Sequence, residues 1–201
     1  ISVKAVTSDG SAVAVEGCTE TSLASGSTYT RLHATGTVVI LKGKIIKLGC
    51  DNNQLTALNV QGLTALQYLN CGYNRLTALN VQGLPALQDL ECRNNELTSL
   101  NLRGMTALQG LRCGGNKLTA LNVRDLRALQ TLRCNDNLFT ELDVHGLTAL
   151  QNLSCKNNQL ISLNVQGLTA LESLGCDNNR LTAFNVQGLT ALKYLLCYSN
   201  Q

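Results

Sequence analysis

The sequence of 201 residues is poor in the side chains that usually fill a globular core. It contains no Trp, a single Pro and only 3% aromatic residues, although 44% of its residues are hydrophobic. Because large aromatic side chains dominate most globular interiors, a core built without them favours a more regular architecture. The length and the hydrophobic content still suffice for a sizeable core, in one or two domains.

Charge and long apolar runs are also scarce. The 16 basic and 13 acidic residues give a net charge of +3, which is too slight to predict nucleic acid or an anionic membrane as a partner. No apolar run approaches the roughly 18 residues that a membrane span needs, and the opening ISVKAVTSDG lacks the regions of a signal peptide. We therefore expect no nucleic-acid partner and no direct membrane insertion by this segment.

Cysteine, in contrast, is abundant and periodic. Disulfide frameworks have irregular spacings and zinc sites have close CxxC pairs, so neither explains a series with a constant interval. A period of 21 residues with Leu at fixed offsets is typical of leucine-rich repeats. From Leu66 the unit reads LQYLNCGYNRLTALNVQGLPA. Cys18 stands alone, and the other eight cysteines recur at one constant interval, at Cys50, Cys71, Cys92, Cys113, Cys134, Cys155, Cys176 and Cys197.

The repeated positions predict a stacked solenoid. Each repeat is expected to form one turn of the stack, called a rung. Asn occupies the ninth position of every unit, where a buried side chain can hydrogen-bond to backbone groups that a bend leaves unpaired, in its own rung and the next. We predict a β-dominated, right-handed leucine-rich-repeat solenoid, with a parallel sheet on the concave face and short extended or 3₁₀ segments on the convex face. In the second repeat the expected core residues are Leu66, Leu69, Cys71, Leu76, Leu79, Val81 and Leu84.

The cysteine ladder is interpreted as structural. Metal binding and redox switching are the functional alternatives, but a thiol is also a small apolar side chain that fits a narrow rung. Parallel in-register neighbours keep their β-carbons near the strand spacing, which is longer than the roughly 3.8 Å that a disulfide prefers. We expect free thiols, no metal site and no cofactor. For Cys18 we expect burial, with a reactive surface thiol as the alternative.

The two ends differ from the repeats. Residues 1–44 contain the alternating runs ISVKAVT and SAVAVEG, joined at Asp9 and Gly10, which predicts a hairpin with a primed turn. We expect 1–44 to form an N-terminal β cap, because the first rung of a solenoid otherwise exposes an apolar end. Residues 45–201 are predicted to be the leucine-rich-repeat solenoid, with seven full repeats and a truncated eighth. No polar capping sequence follows, so the native protein is expected to continue.

The unit LxxLxCxxNxLTxLNVxGLxA resembles the 21-residue cysteine-containing repeat of bacterial internalins, particularly the internalin J type, including relatives in the Bacteroidetes. Asp125 and Arg127 depart from the usual Gly and Thr, and Phe139 and Phe184 replace Leu at core positions. The resemblance implies a secreted or surface-anchored bacterial protein that acts in adhesion or biofilm formation and in virulence. No anchoring motif is present to indicate the mode of attachment.

The freely varying third, fifth, seventh and eighth positions are the candidates for binding. They are expected on or beside the concave sheet, where exposed Tyr and Arg are typical of interface hot spots. Arg112 and Arg133 occupy the same position of adjacent repeats, where like charges oppose each other and stability gives no reason for them. We predict a basic centre with an acidic rim of Asp89, Glu91 and Asp136, which partly offsets its charge, and we expect this centre to receive an acidic group of a partner. The alternative is a solvated face whose long arginines extend into water. The candidate residues are Tyr68, Tyr73, Asp89, Glu91, Arg93, Arg112, Arg133, Lys156, Tyr194 and Tyr198.

Catalysis finds little support. Neither His33 nor His145 has a nucleophile or carboxylate partner that recurs in the repeats, so no triad or metal site can be assembled. The Asn- and Asp-rich bends are only a weak calcium signal, since the glycine-rich calcium repeat is absent. We predict a non-catalytic module that binds a protein or glycan on a host or bacterial surface, self-association included. The alternative is a structural spacer rod that displays another domain.

Overall fold

The repeats form one short strand each. The computed structural model describes residues 1–201, which contain thirteen strands and no helix, and therefore no helix that could cross a membrane. The strands of the N-terminal segment are β1 (Ser2–Thr7), β2 (Val13–Glu16), β3 (Ser22–Leu23), β4 (Thr30–Arg31) and β5 (Ile40–Lys42). The strands of the repeats are β6 (Ile45–Gly49), β7 (Tyr68–Asn70), β8 (Asp89–Glu91), β9 (Gly110–Arg112), β10 (Thr131–Arg133), β11 (Asn152–Ser154), β12 (Ser173–Gly175) and β13 (Tyr194–Leu196).

The repeat strands stack in sequence order as a parallel sheet. Because the period of the repeat is constant, each strand pairs in register with the next, so that Leu69 lies beside Leu90 and Leu90 beside Leu111. The central Leu of these strands is buried while its two neighbours face outward. The predicted parallel-sheet solenoid is confirmed.

The return path of each rung is built from turns. In the second rung the N–H of Leu87 donates to the carbonyl oxygen of Leu84 at 3.1 Å, and the equivalent bond recurs from rung to rung. Such i to i+3 bonds give the tight turning that so short a rung requires, without a helix on the convex side. The repeated Leu and Val side chains fill the space between strand and return path as one continuous hydrophobic core.

The asparagine ladder closes the bend after each strand. In Asn116 the side-chain Nδ2 donates to the carbonyl of Cys113 at 2.9 Å and to that of Cys92 at 3.1 Å, while Oδ1 accepts from the N–H of Leu97 at 3.0 Å. The neighbouring rung that Asn116 bonds is the preceding one, whereas the sequence pattern predicted the next. The backbone N–H groups along the strands, such as that of Cys113, donate to carbonyl groups of the next rung, here that of Arg133. The carbonyl of Cys92 in the preceding rung accepts no backbone hydrogen bond and is therefore available to Asn116.

The cysteine ladder is a column of free thiols inside the solenoid. All nine cysteines are free, which confirms the prediction; those from Cys71 to Cys176 have no exposed surface, and Cys197 on the last rung is exposed. Burial disfavours the thiolate and raises the pKa of Cys113 to about 12. Cys18 is partly buried against the core.

The N-terminal segment continues the solenoid sheet rather than forming a hairpin. Strand β1 pairs antiparallel with β6 on one side and with β4 on the other, whereas β2 pairs with β3 and β5 in a separate sheet. The predicted hairpin at Asp9 and Gly10 is therefore wrong, because both edges of β1 are occupied and none remains for β2. Since 1–44 and 45–201 share a sheet and a core, the boundary between a cap and a solenoid stays a prediction.

Candidate functional site

The outward positions of the parallel strands form the candidate surface. The inter-rung hydrogen bonds extend beyond each three-residue strand: the N–H of Cys71 donates to the carbonyl of Glu91 at 2.8 Å, and the N–H of Tyr73 to that of Arg93 at 2.8 Å. The seventh and eighth positions are therefore held in the same ladder as the third and fifth. All four varying positions lie on one continuous face.

The eighth position has a left-handed backbone, which explains its composition. Asn, Asp and Gly adopt a positive φ at little cost, but a bulky residue there is strained. Tyr73 has a φ of 53° and is exposed, so neither backbone preference nor core packing explains its presence. The eight residues at this position are Asn52, Tyr73, Asn94, Gly115, Asp136, Asn157, Asn178 and Ser199, all with positive φ.

The predicted arginine pair lies in one column of the sheet, but only one of the two arginines is free. Arg112 and Arg133 are register partners in β9 and β10. The guanidinium of Arg112 lies 3.6 Å from Oδ1 of Asp89, in the preceding rung. This approach crosses Gly110, where a β-carbon would collide with the Asp89 carboxylate. Asp89 thus offsets the charge of Arg112, whereas Arg133 forms no such ion pair.

A second ion pair lies on the neighbouring rung. Nε of Arg93 contacts Oε1 of Glu91 at 2.6 Å, and the guanidinium carbon of Arg93 lies 5.0 Å from the centroid of the Tyr73 ring. The ring and the carboxylate both hold the guanidinium in place. Asp89 and Glu91, two of the residues predicted as the acidic rim, therefore lie within the surface as direct partners of two of its arginines.

The unpaired cations meet in a shallow depression. A concavity of about 370 Å³ is lined by Arg133, Lys156, Asp177 and Tyr194, together with residues of β11 and β12. Neither Arg133 nor Lys156 forms an ion pair, and Tyr194 is 70% exposed. The structure thus brings together three of the sequence-predicted residues from three different rungs.

The remaining predicted residues lie away from this depression. Tyr68 is half-buried on β7, and burial raises the pKa of its hydroxyl. Tyr198 is exposed on the last rung. Asp136 accepts hydrogen bonds from the side-chain amides of Asn135 at 2.5 Å and Asn157 at 2.6 Å, so it belongs to a polar network along the bends.

Two residues of the N-terminal segment reach the same face and were missed by sequence reasoning. The ammonium of Lys4 lies 4.6 Å from the centroid of the Tyr29 ring, and the Tyr29 hydroxyl donates to Asp51 at the seventh position of the first rung. Neither residue belongs to the repeat, so no period marks it. The one available signal was Gly49, which is one of two glycines at the fifth position, with Gly175, and leaves space over the first rung.

Each of the two histidines lies next to an acidic residue. Nδ1 of His33 lies 2.6 Å from Oε1 of Glu20, and the backbone N–H of His145 donates to Asp143 at 2.9 Å. No group of three His, Cys, Asp or Glu side chains could hold a metal ion. The surface offers charge, aromatic rings and hydrogen bonds for recognition.

Comparison with known proteins identifies the type of repeat. No family model and no curated protein sequence matches the chain. Among solved structures, it is similar to the functional domain of InlJ from Listeria monocytogenes, described as including a cysteine ladder, with 34% identity and a TM-score of 0.66 over 77% of this chain and 39% of that one. A leucine-rich-repeat protein of Leptospira interrogans is 31% identical with a TM-score of 0.73, over 77% of this chain and 43% of that one.

A third similar structure is the internalin InlF of Listeria monocytogenes, with 25% identity and a TM-score of 0.72 over 75% of this chain and 46% of that one. This chain therefore spans less than half the length of each of the three proteins. The periodic cysteines, the asparagine ladder and the parallel stack of rungs agree with a cysteine-ladder solenoid of this kind. The chain folds as a leucine-rich-repeat solenoid built around a cysteine ladder, and it is similar in this to the internalin J domain.

Proposed function

We propose that this chain is the non-catalytic binding module of a secreted or surface-anchored bacterial protein that acts in adhesion or biofilm formation. A leucine-rich-repeat solenoid is a protein-binding module, and the similar structures are leucine-rich-repeat domains rather than enzymes. The concave face is the binding surface, and its partner is a protein or glycan on a host or bacterial surface. Tyr68, Tyr73 and the charged residues described above contribute contacts.

The observation that carries this proposal is that Arg133 and Lys156 form no ion pair beside an exposed Tyr194, while the one carboxylate that lines the depression, that of Asp177, is buried. Elsewhere on the face the arginines are paired with carboxylates, as Arg112 is with Asp89. Folding stability gains nothing from placing Arg133 in register with Arg112, because like charges opposite each other in a sheet repel. An acidic group of a partner would be attracted to this depression, and Tyr194 would add contact area.

The test is a charge reversal confined to the two unpaired cations. We expect Arg133→Glu with Lys156→Glu to change the melting temperature little, because both side chains lie at the surface and form no ion pair. Adhesion to host or bacterial cells should weaken, with slower association at low salt, because the attractive field becomes repulsive. Arg75→Glu with Arg180→Glu is the matched control, since both are exposed arginines at the tenth position, outside the concave face.

Equal adhesion of the two double variants at low salt would contradict the proposal. It would favour a spacer rod, in which the ion pairs of Arg112 and Arg93 stabilise the sheet and the remaining cations keep the surface soluble. A pull-down from host and bacterial surface extracts with the same two variants identifies the partner, because only the partner of the concave face is lost with the first variant and retained with the second.

A further inference from the structure

The concave face extends past the first repeat onto β1. In the antiparallel pairing of β1 with β6, Lys4 is the register partner of Gly49, and Val6 that of Lys47. Alternation along both strands places these four residues on the same side of the sheet. Together with Ser27, Leu48 and Tyr68 they line a concavity of about 240 Å³. The face on which the repeats present their variable residues thus has one further strand, supplied by the N-terminal segment.

Gly49 allows the N-terminal segment to close over the first rung. A β-carbon at this position would lie 2.7 Å from Cε of Lys4 and 2.9 Å from the hydroxyl oxygen of Tyr29. Without it, Lys4 crosses the strand and is held against the Tyr29 ring, and the Tyr29 hydroxyl is anchored on Asp51. The lysine is positioned by these contacts rather than extended freely into water.

Two ammonium groups at this concavity have no carboxylate partner. Neither Lys4 nor Lys47 forms an ion pair, although seven other Lys and Arg side chains do so with Asp or Glu. The neighbouring carboxylate of Asp51 is engaged by the hydroxyl of Tyr29 and by the side-chain amide of Asn52 at 3.0 Å. The apolar atoms of Val6 and Leu48 limit solvation in the concavity, which strengthens its attraction for an anion.

We infer that Lys4 and Lys47, framed by Tyr29 and Tyr68, form a second anion-binding subsite of the concave face, which receives a carboxylate of an acidic segment of a protein partner. This inference rests on the proposed function. Strands β6 and β10 are four strand spacings apart, so the subsite lies about 19 Å from Arg133 on β10. The paired arginines lie in between. An extended segment spans this distance with about six residues, so its two acidic groups are about six residues apart.

The test uses a synthetic peptide with two Glu residues about six positions apart and neutral residues between them, the spacing that the extended segment requires, and measures its affinity for the full chain by titration. Lys4→Gln with Lys47→Gln should weaken binding by about tenfold and reduce its salt dependence, because two charge contacts are lost. Lys47→Gln alone changes an exposed side chain that forms no ion pair, and it should weaken binding by about threefold. Lys42→Gln with Lys44→Gln is the matched control, since both lysines lie outside the concavity in exposed ion pairs.

The outcomes separate the two proposals. If the Lys4 and Lys47 variants bind the peptide as the wild type does while Arg133→Gln with Lys156→Gln loses it, the second subsite is overturned and the proposed function stands. If no variant weakens binding, or the wild-type chain does not bind the peptide, the subsite is overturned together with acidic recognition by this face. Tighter binding of a sulfated oligosaccharide of equal charge than of the peptide overturns the assignment to a protein partner.

Discussion

Removing one buried thiol should change the pH dependence of folding by a definite amount. The Cys113 thiol has no exposed surface, and burial raises its pKa to about 12, from a value near 9 in the unfolded chain. Between these two values the unfolded chain loses the thiol proton and the folded chain keeps it. The stabilisation by this thiol is therefore fully present below pH 9 and is lost as the pH rises towards 12.

The expected magnitude follows from the shift. Each pH unit in this window costs about 1.4 kcal/mol per buried thiol, so Cys113 alone removes about 4 kcal/mol between pH 9 and 12. The other fully buried thiols of the ladder, from Cys71 to Cys176, also have raised pKa values. Since a domain is stable by only about 5–15 kcal/mol, the ladder should make this protein alkali-sensitive from about pH 10.

The assay is urea unfolding followed by circular dichroism at several pH values between 8 and 10.5. The variant Cys113→Ala leaves a small cavity that costs about 1 kcal/mol at every pH, so the cavity does not affect the slope. The slope of unfolding free energy against pH above 9 should be about 1.4 kcal/mol per unit shallower than that of the wild type. Cys197→Ala, which removes an exposed thiol, is the control and should keep the wild-type slope. Identical slopes for wild type and Cys113→Ala would refute the buried, proton-bearing ladder.

Two further substitutions test the rung and the strained surface residue. Asn116→Ala should lower the free energy of unfolding in urea by about 3–5 kcal/mol, because it leaves the N–H of Leu97 and the carbonyl of Cys92 without partners. The control Asn80→Ala, at an exposed turn, should lower it by less than about 1 kcal/mol. Similar losses of stability for the two variants would show that the asparagine ladder is not needed. Tyr73→Asn should stabilise the fold by about 0.5–1 kcal/mol, since Asn tolerates the positive φ better, and should weaken partner binding; a loss of stability would mean that the ring contributes more to folding than the backbone strain costs.

The repeat architecture was predictable because its information is local and periodic. A constant interval between equivalent positions places Leu69 beside Leu90, and no long-range choice of pairing remains once the period is known. The buried asparagine and the free thiols follow from the same register. The sequence did not predict that Asn116 bonds the preceding rung rather than the next one. This choice depends on which carbonyl groups the hydrogen bonds of the strands leave unpaired.

The N-terminal segment was less predictable because its pairing is set by a distant part of the chain. Strand β1 has the alternation of a hairpin strand, but its partner is the open edge of β6, which lies beyond the whole of the intervening segment in sequence. For the same reason, no local pattern placed Lys4 and Tyr29 on the concave face.

The charge pairing of the surface was less predictable than the repeat architecture but more predictable than the N-terminal segment. The sequence placed Arg112 and Arg133 in one column correctly, and the register confirms it. The sequence placed Asp89 at the border of the basic centre, but it did not indicate that Asp89 would contact Arg112 directly, because this contact joins different positions of two rungs and depends on the missing side chain of Gly110. A comparison of one repeat position at a time misses such contacts, whereas a comparison of the third and fifth positions of adjacent repeats would have indicated this one.

The most direct test of the concave face as the binding surface is a site-specific block. In a background with Cys18→Ser and Cys197→Ala, the buried ladder thiols do not react, so a single added cysteine can carry a bulky polyethylene glycol maleimide. Ser154→Cys places the group in the depression beside Arg133 and Lys156, and Ser162→Cys places it on the return path. We expect the label at 154 to abolish adhesion to cells and the label at 162 to leave it intact. Adhesion that survives the first label, or is lost with the second, would contradict binding by the concave face.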